Sequence, residues 1–327
     1  MKPEFLFMCK ITDEKSKQRM QKYINIIEIE KTDIKSVMDN AVGKEGIIVP
    51  YTPHKLITKQ VMDSSKELKI VGTTYGGTRQ NIDDEYAIKK GLTVIHTGAS
   101  RPRPMAEYAL GLILSSLMYI HNYSHYMKSG EDWPRFKYGR SRNLSDRKVG
   151  VIGLGLIGKE IVNLLKCFTN DIFVHSNHLS KDDELNLCVK NISLNRIFAE
   201  CEIIVLSGGY NSSTYHMIGK EQFEIMNKDA LFVNIARGKM VNQKEMIDAL
   251  NEKEIYLALD VFEEEPLEAD SPLRNSDRVL LTPHRANNSI EFEQRWDCLA
   301  DEIELFYTGK IPKSKLSIER ARAMSDS

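Results

Sequence analysis

The chain has 327 residues, of which 42% are apolar, and this length and composition predict a globular protein of two domains. The formal net charge of −1 gives no broad attraction to nucleic acid, so a nucleic-acid partner is not expected. The five cysteines form no C-x-x-C pair, which argues against a zinc ribbon or a redox dithiol and favours reduced thiols in a cytoplasmic protein. The N-terminal segment MKPEFLFMCK has too short an apolar run for a signal peptide, and the apolar segment 108–120 falls short of the ~20 residues that span a bilayer.

Residues 1–100 alternate short apolar runs with polar stretches of helical pattern, which predicts a parallel sheet with helices on both faces. The predicted strands are 5–8, 24–29, 46–49, 69–74 and 93–96, and the predicted helices include 33–40 and 55–64. Gly76 and Gly77 directly follow the fourth predicted strand, where the backbone N–H groups of a strand-end loop suit a carboxylate. An ordinary strand-to-helix turn fits the same local sequence equally well.

A long helical pattern follows at residues 101–127, and we expect it to be one helix that links the two domains, with Pro104 in its first turn. Arg101 and Arg103 stand at its start and could meet an anionic substrate, or they could be solvated charges of a linker. Residues 130–147 are polar and aromatic, and they are expected to form a connecting loop packed on the surface.

The stretch KVGVIGLGLIGKEI, residues 148–161, joins the pattern of a buried strand, a G-x-G-x-x-G turn and a helical pattern. The three glycines are Gly153, Gly155 and Gly158. In this context the turn is expected to hold the pyrophosphate of a dinucleotide at the N-terminus of the following helix. A glycine turn that binds nothing is the alternative, and only the remaining sequence can decide between the two.

Five more predicted strands complete a six-stranded, doubly wound sheet of the Rossmann type: 171–175, 203–207, 231–235, 255–261 and 279–282. Arg237, the acidic run 263–265 and His284 each follow one of these strands, and the carboxyl ends of parallel strands share one edge of a sheet. Taken singly, each is more often structural, so their convergence carries the interpretation. Arginine binds carboxylates bidentately, histidine moves protons near neutral pH, and a carboxylate orients its ring. With a nicotinamide supplying the hydride, these are the parts of a 2-hydroxy-acid/2-oxo-acid dehydrogenase.

Three of these motifs carry a family resemblance. NIARG (234–238), LDVFEEEP (259–266) and LTPH (281–284), in this order after VGVIGLGLIG, resemble the D-isomer-specific 2-hydroxyacid dehydrogenase family. GGTRQNID before MAEYALGLIL is similar to the substrate loop and linker helix of that family. The resemblance covers residues 45–310. It implies an α/β architecture with a flavodoxin-like substrate domain, residues 1–101 and 286–327, and a Rossmann-type dinucleotide-binding domain, residues 102–285.

The resemblance also implies roles for individual residues. Arg237 would bind the substrate carboxylate, His284 would be the acid/base, and Glu265, directly before Pro266, would be its partner. The backbone of Gly76, Gly77 and Thr78 would hold the substrate carboxylate as well. The implied coenzyme contacts are Gly153, Gly155, Leu156, Ile157, Gly158, Ser176, Asn177, His178, Ser207, Ile235 and Asp260. No metal is expected, because the remaining histidines show no ligand spacing with acids or cysteines.

The second predicted strand departs from the pattern of sites that prefer NAD, which carry an acid about 20 residues past the glycines. Ser176 occupies that position, so no carboxylate holds the ribose diol or repels a 2′-phosphate. His178 stands where related NADP-preferring enzymes carry an arginine, and we expect NAD(P) with a preference for NADP. A serine that binds a ribose hydroxyl would keep NAD usable.

Two further expectations concern partners. The segment after His284, residues 285–288, and the RPRP of 101–104 depart from the family pattern, which suggests a substrate with a second anionic or polyhydroxylated end, such as a phosphate or a sugar acid. The resemblance implies a homodimer built through the cofactor domain and linker helix. The alternative to an enzyme is a dinucleotide-sensing, corepressor-like binding protein on the same fold.

Overall fold

The structure is a computed structural model that describes residues 2–177 and 179–323. His178, one of the expected coenzyme contacts, lies outside the described residues. The described residues up to Arg101 and from Ile290 onward form one compact unit, and Pro102–Ser289 form a second.

Twelve strands are present among the described residues: β1 (Glu4–Phe7), β2 (Asn25–Glu28), β3 (Gly46–Val49), β4 (Ile70–Thr73), β5 (Thr93–His96), β6 (Val149–Ile152), β7 (Ile172–His175), β8 (Lys190–Asn191), β9 (Ile203–Leu206), β10 (Leu231–Asn234), β11 (Tyr256–Leu259) and β12 (Val279–Leu281). The α-helices of the same residues are α1 (Glu14–Gln21), α2 (Ile34–Ala41), α3 (Lys59–Ser64), α4 (Asp84–Lys89), α5 (Pro102–Leu117), α6 (Ile120–Lys128), α7 (Leu156–Leu165), α8 (Lys181–Leu187), α9 (Leu194–Glu200), α10 (Lys220–Ile225), α11 (Gln243–Glu252), α12 (Arg295–Tyr307) and α13 (Ile318–Ala323).

The first unit is built on a five-stranded parallel sheet with the order β2-β1-β3-β4-β5, which is the flavodoxin-like order. Helices cover both faces, because α2, α3 and α4 bury apolar side chains on one face and α1 and α12 on the other. Trp296, Leu299 and Ile303 of α12 are buried against Phe5 and Phe7 of β1. Helix α12 therefore completes one layer of the first unit, although it lies nearly 290 residues after β1 in the chain.

The second unit is built on a seven-stranded parallel sheet with the order β12-β11-β10-β9-β6-β7-β8. Apolar side chains of α5 and α7 pack on one face, and those of α9, α10 and α11 pack on the other. The strand order reverses between β6 and β9, and doubly wound sheets bind ligands outside the carboxyl ends of the strands at such a switch point. The predicted α/β fold class is confirmed for both sheets.

Several predicted elements were wrong in detail. The single helix expected over 101–127 is two helices, α5 and α6, because Tyr119 adopts a left-handed conformation with φ 55°. The two-residue strand β8 adds a seventh strand at the edge of the second sheet. Helix α13, over Ile318–Ala323, is not among the predicted elements, and its Ala321 is fully buried. Residues 130–147 do form the expected connecting loop, but within it Trp133 and Phe136 are 72% and 85% exposed.

Candidate active site

The glycine turn after β6 has the geometry that a dinucleotide requires. Gly153 has φ +90°, and a Cβ added to Gly158 would lie 2.1 Å from the carbonyl oxygen of Gly153, so helix α7 approaches the strand as only glycine allows. A Cβ added to Gly155, the N-cap of α7, would meet nothing within 4 Å. Among the described residues, no side chain caps the first N–H groups of α7, and the Ser207 hydroxyl donates to the Gly153 carbonyl over 2.9 Å. An uncapped helix N-terminus beside open space fits a pyrophosphate.

The end of β7, where the ribose is expected, carries no carboxylate. The Ser176 N–H donates to Asn191 Oδ1 over 3.2 Å, and the Asn191 amide donates back to the Ser176 carbonyl over 3.0 Å. Close by in the chain, Lys159 Nζ pairs with Asp183 Oδ1 over 2.6 Å. That carboxylate neutralises a lysine of α7, the helix that begins at the glycine turn.

His284 and Glu265 are in direct contact at 2.8 Å between Nδ1 and Oε2. The other carboxylate oxygen, Oε1, accepts the N–H of Phe262 over 3.0 Å, which fixes the rotamer of Glu265. An ionised carboxylate only accepts hydrogen bonds, so Nδ1 of His284 carries the hydrogen in this contact and Nε2 is the ring nitrogen that does not face Glu265. Both side chains are a little over one-third exposed.

Asp260 holds the loop that carries His284. Its Oδ1 accepts the Thr282 hydroxyl over 2.6 Å and the Arg285 N–H over 2.8 Å, and its Oδ2 accepts the Ala286 N–H over 2.8 Å. The backbone N–H of His284 donates to the Asp260 carbonyl, also over 2.8 Å. His284 itself has φ 52°, a left-handed conformation that costs energy for a histidine, so these bonds hold the residue where it would not otherwise rest.

Arg237 lies on a tight turn directly after β10. Asn234 organises this turn, since its Oδ1 accepts the Ala236 N–H over 2.9 Å. The Arg237 guanidinium donates to the Ala236 carbonyl over 2.7 Å. A Cβ added to Gly238 would lie 1.8 Å from the carbonyl carbon of Phe262, so the arginine turn packs directly on the backbone of the loop that carries Glu265.

A second histidine–carboxylate pair joins the segment between β9 and α10 to the loop that carries Glu265, and no sequence pattern predicts it. His216 Nε2 lies 2.5 Å from Glu263 Oε1, and Glu263 Oε2 accepts the N–H of Gln243 at the start of α11 over 3.0 Å. This contact gives His216 a structural role in bracing the loop. The acidic run is thereby divided: Glu263 braces a loop, Glu264 is exposed, and Glu265 contacts His284.

The first unit carries the other predicted substrate loop, which follows β4. Thr78 is fully buried, and its hydroxyl donates to Asp84 Oδ2 over 2.8 Å. A Cβ added to Gly77 would meet nothing within 4 Å, so its backbone is approachable. The N–H of Thr97, after β5, donates to the carbonyl of Tyr75 over 3.0 Å and ties two neighbouring strand ends together.

Arg101 and Arg103 prove to have different surroundings. Arg103 Nε pairs with Glu107 over 2.6 Å and its Nη1 pairs with Glu160 over 3.0 Å, in an exposed cluster. This contact agrees with the interpretation of Arg103 as a solvated charge. Arg101 instead stacks on the ring of Tyr75, with Cζ 3.2 Å from the ring centroid.

The described residues offer neither a metal site nor a reactive thiol of the kinds considered below. Within residues 2–177 and 179–323, no group of three or more His, Cys, Asp or Glu side chains is arranged to hold a metal ion. Burial raises the pKa of the Cys9 and Cys201 thiols to about 12, so neither is a ready thiolate.

In the described part of the chain, no helix is long and apolar enough to cross a membrane.

A doubly wound sheet with this glycine turn, a strand-end arginine and an oriented histidine has the features of a dinucleotide-binding oxidoreductase. Residues 110–286, more than half of the chain, match the family described as "D-isomer specific 2-hydroxyacid dehydrogenase, NAD binding domain". The chain therefore belongs to the D-isomer-specific 2-hydroxyacid dehydrogenases, a family of NAD-dependent oxidoreductases, as its motifs predicted.

The chain is also similar in sequence to individual reductases and dehydrogenases, and similar in structure to a solved dehydrogenase. The chain is 32% identical over 269 residues to a glyoxylate reductase of Korarchaeum cryptofilum, covering 80% of each chain. It is 31% identical over 265 residues to a D-3-phosphoglycerate dehydrogenase of Methanocaldococcus jannaschii, covering 80% of this chain and 50% of that protein. The structure of D-mandelate dehydrogenase from Rhodotorula graminis matches with a TM-score of 0.85 at 20% identity, over 97% of this chain and 98% of that one, and this match shows the fold.

Proposed function

We propose that this protein interconverts a small 2-oxo acid and the corresponding D-2-hydroxy acid with NAD(P)(H) as coenzyme. The observation that carries the proposal is the His284–Glu265 pair, joined over 2.8 Å through Nδ1 at the carboxyl end of the sheet that bears the glycine turn. The relatives named above are reductases and dehydrogenases, and this favours an enzyme over the corepressor-like binding protein. The glycine turn and the uncapped start of α7 would hold the coenzyme pyrophosphate.

In this mechanism, residues of the chain transfer the proton and stabilise the negative charge that develops on the substrate. When bound, the reduced nicotinamide supplies the hydride to C2 of the oxo acid. His284, protonated on both nitrogens, gives the Nε2 proton to the substrate oxygen as the alkoxide develops, and Glu265 keeps the resulting neutral ring in its Nδ1–H form. Arg237 holds the substrate carboxylate and stabilises the developing negative charge. The backbone of Gly76, Gly77 and Thr78 would bind that carboxylate as well. Oxidation reverses these steps, with neutral His284 as the base.

Substitution of the acid/base pair tests this mechanism. His284→Ala is expected to lower kcat roughly 10²–10⁴-fold, the usual contribution of general acid–base catalysis, while NAD(P)H binding measured by fluorescence stays within about twofold. Glu265→Gln is expected to lower kcat as well, and Glu264→Gln, on the neighbouring exposed side chain, serves as the matched control and should leave it unchanged. Wild-type turnover in His284→Ala would contradict the assignment, and a wild-type protein that oxidises NAD(P)H with no 2-oxo acid would contradict the function.

The proposed coenzyme preference is NADP, because Ser176 places no carboxylate at the end of β7 to repel a 2′-phosphate. The Asp183 carboxylate, paired with Lys159, is the local feature that opposes this preference. Fluorescence titration with NADH and NADPH measures the outcome. Ser176→Asp should weaken NADPH binding tenfold or more through like-charge repulsion. NADH binding as tight as NADPH binding in the wild type would refute the preference.

A homodimer in the cytoplasm remains part of the proposal. Five large apolar side chains between residues 118 and 136 are at least one-third exposed, which suits a protein interface: Met118, Ile120, Met127, Trp133 and Phe136. Light scattering at micromolar concentration measures the mass, and Trp133→Ser with Phe136→Ser should shift a dimer toward the monomer. A wild-type mass of 37.4 kDa would rule the dimer out.

A further inference from the structure

A chain of hydrogen bonds within the second unit joins the first turn of α7 to the end of β7. Lys159, in that turn, pairs with Asp183 of α8 over 2.6 Å. The next residue of α8, Glu184, accepts the backbone N–H of Asn191 through Oε1 over 2.7 Å. The Asn191 side chain in turn bonds both the N–H and the carbonyl of Ser176. The start of α7, helix α8 and the end of β7 are therefore tied together.

The Lys159 ammonium group lies between two parts of the expected coenzyme site. The pyrophosphate is proposed to bind at the uncapped start of α7, and in doubly wound folds the adenosine ribose lies at the end of the second strand, here β7. Lys159 is the fourth residue of α7, and its contact with Asp183 shows that its side chain turns toward the helix that follows β7. A phosphate on the ribose 2′-oxygen would enter this same region.

The pairing of Lys159 with Asp183 is weak enough to be exchanged for another anion. The two side chains are 40% and 33% exposed, and ion pairs at such exposure contribute little to stability because water screens them. Asp183 keeps other partners, since its Oδ2 accepts the Ser180 hydroxyl and its N–H donates to the same Oγ, each over 3.0 Å. A phosphate, with more negative charge than a carboxylate, is the stronger partner for the lysine.

The charges of α8 oppose a phosphate while Asp183 is ionised. The contact with Lys159 lowers the pKa of Asp183 below its usual value, so this carboxylate is charged at neutral pH. Asp182 and Glu184 add two acids to the first turn of α8, against the single cation Lys181. A lysine that moves from Asp183 to the phosphate would offset part of this repulsion.

We propose that Lys159 binds the 2′-phosphate of NADP(H) and that Asp183, its partner in this structure, limits the affinity. The proposal rests on the proposed function, which gives the protein a nicotinamide coenzyme and a preference for NADP. It adds a positive partner for the phosphate, whereas the lack of a carboxylate at Ser176 only removes a repulsion. Both residues of the pair belong to the second unit, so the assignment depends on that unit alone.

Two substitutions with opposite expected effects test the pair. Fluorescence titration gives the Kd of NADPH and of NADH, and competition by adenosine 2′,5′-bisphosphate and by adenosine 5′-phosphate tests the 2′-phosphate without a nicotinamide. Lys159→Gln should weaken binding of NADPH and of the bisphosphate about tenfold and change NADH binding by less than about twofold. Lys159→Arg, which keeps the charge, should restore most of this loss. Asp183→Asn should tighten NADPH binding about threefold or more.

A matched control removes the same charge from the other end of the helix. Lys166 is the C-cap of α7, and Lys166→Gln should change neither Kd by more than about twofold, because salt screens exposed charges over that distance. Thermal melting verifies that each variant is folded. A loss of NADPH binding in Lys166→Gln as large as that in Lys159→Gln would reduce the effect to net charge and would overturn the proposal.

The double variant separates competition for Lys159 from simple repulsion. The gain from Asp183→Asn should be much smaller in the Lys159→Gln background, because the two residues act as a pair. An equal gain in both backgrounds would overturn the role given to Asp183. An equal loss of NADPH and NADH binding in Lys159→Gln, or no loss of either, would overturn the role given to Lys159. The proposed function fails on a different result, a wild type that binds neither coenzyme or turns over no 2-oxo acid.

Discussion

His96 makes the stability of the first unit depend on pH in a way that one substitution should remove. The side chain is 5% exposed at the end of β5. Its Nδ1 accepts the N–H of Gly98 over 3.1 Å, so the neutral ring carries its hydrogen on Nε2. Nε2 is buried and has no hydrogen-bond partner among the residues that the structure describes. Burial, together with the charges of Arg320 and Arg101, lowers the pKa of His96 from 6.5 to about 4.

The sign and size of the effect follow from this pKa. Well above pH 6.5 the ring is neutral in the folded and unfolded chains, so protonation of His96 does not change the free energy of unfolding there. As the pH falls from 6.5 toward 4, the unfolded chain binds a proton at this site and the folded chain does not, so the free energy of unfolding decreases. The whole difference amounts to about 3 kcal/mol, which is a large part of the stability of an ordinary domain.

His96→Asn isolates this contribution, because the amide oxygen of asparagine can accept the Gly98 N–H but cannot titrate. Urea unfolding at several pH values between 7.5 and 4.5 gives the free energy of unfolding of both proteins. The wild type should lose about 2–3 kcal/mol more than the variant across this range, since every other titrating group is common to both. Parallel pH profiles for the two proteins would refute the assigned burial of a neutral His96.

Two further predictions concern the second unit. Gly158→Ala should lower both stability, by about 1–3 kcal/mol, and coenzyme affinity, because its Cβ would meet the Gly153 carbonyl at 2.1 Å. Gly155→Ala, whose Cβ meets nothing, should weaken coenzyme binding alone, and a normal affinity in that variant would contradict the pyrophosphate site. Glu263→Ala leaves His216 and the Gln243 N–H without their carboxylate partner and should lower the free energy of unfolding by about 1–3 kcal/mol. Because Glu263 braces the loop that carries Glu265, the same variant should raise the KM for the acid. Urea unfolding and steady-state kinetics measure the two effects.

The parts of the fold that could be predicted from the sequence are those in which local pattern and global packing agree. The central strands of both sheets are buried on both faces, so they are continuous apolar runs, as in β3 and β9. The glycine turn was predictable because two of its glycines meet a local limit: Gly153 has a positive φ, and a Cβ on Gly158 would meet the Gly153 carbonyl. The contact between His284 and Glu265 required the family resemblance, since three acids in a row give the same pattern whichever one faces the histidine.

The elements that the sequence did not reveal depend on contacts between distant residues. The helical pattern runs through Tyr119, and the break there accompanies stacking of its ring on Tyr138 at 4.9 Å. Nothing in the periodicity of residues 101–127 encodes that partner. Likewise, the contact of His216 with Glu263 joins residues 47 positions apart, and although Glu263 belongs to the LDVFEEEP motif, no motif marks His216 as its partner. Strand β8 is short, polar and exposed, so it has no hydrophobic signature to detect.

The first unit is assembled from two separated stretches of chain, and this has a consequence for biosynthesis. Phe5 and Phe7 are translated before the second unit, and Trp296, Leu299 and Ile303, which bury them, are translated after it. The second unit, being continuous, can fold while translation is still under way. The apolar strands of the first unit therefore complete their core only after α12 has been made, and chaperone demand during synthesis should be concentrated on residues 1–101.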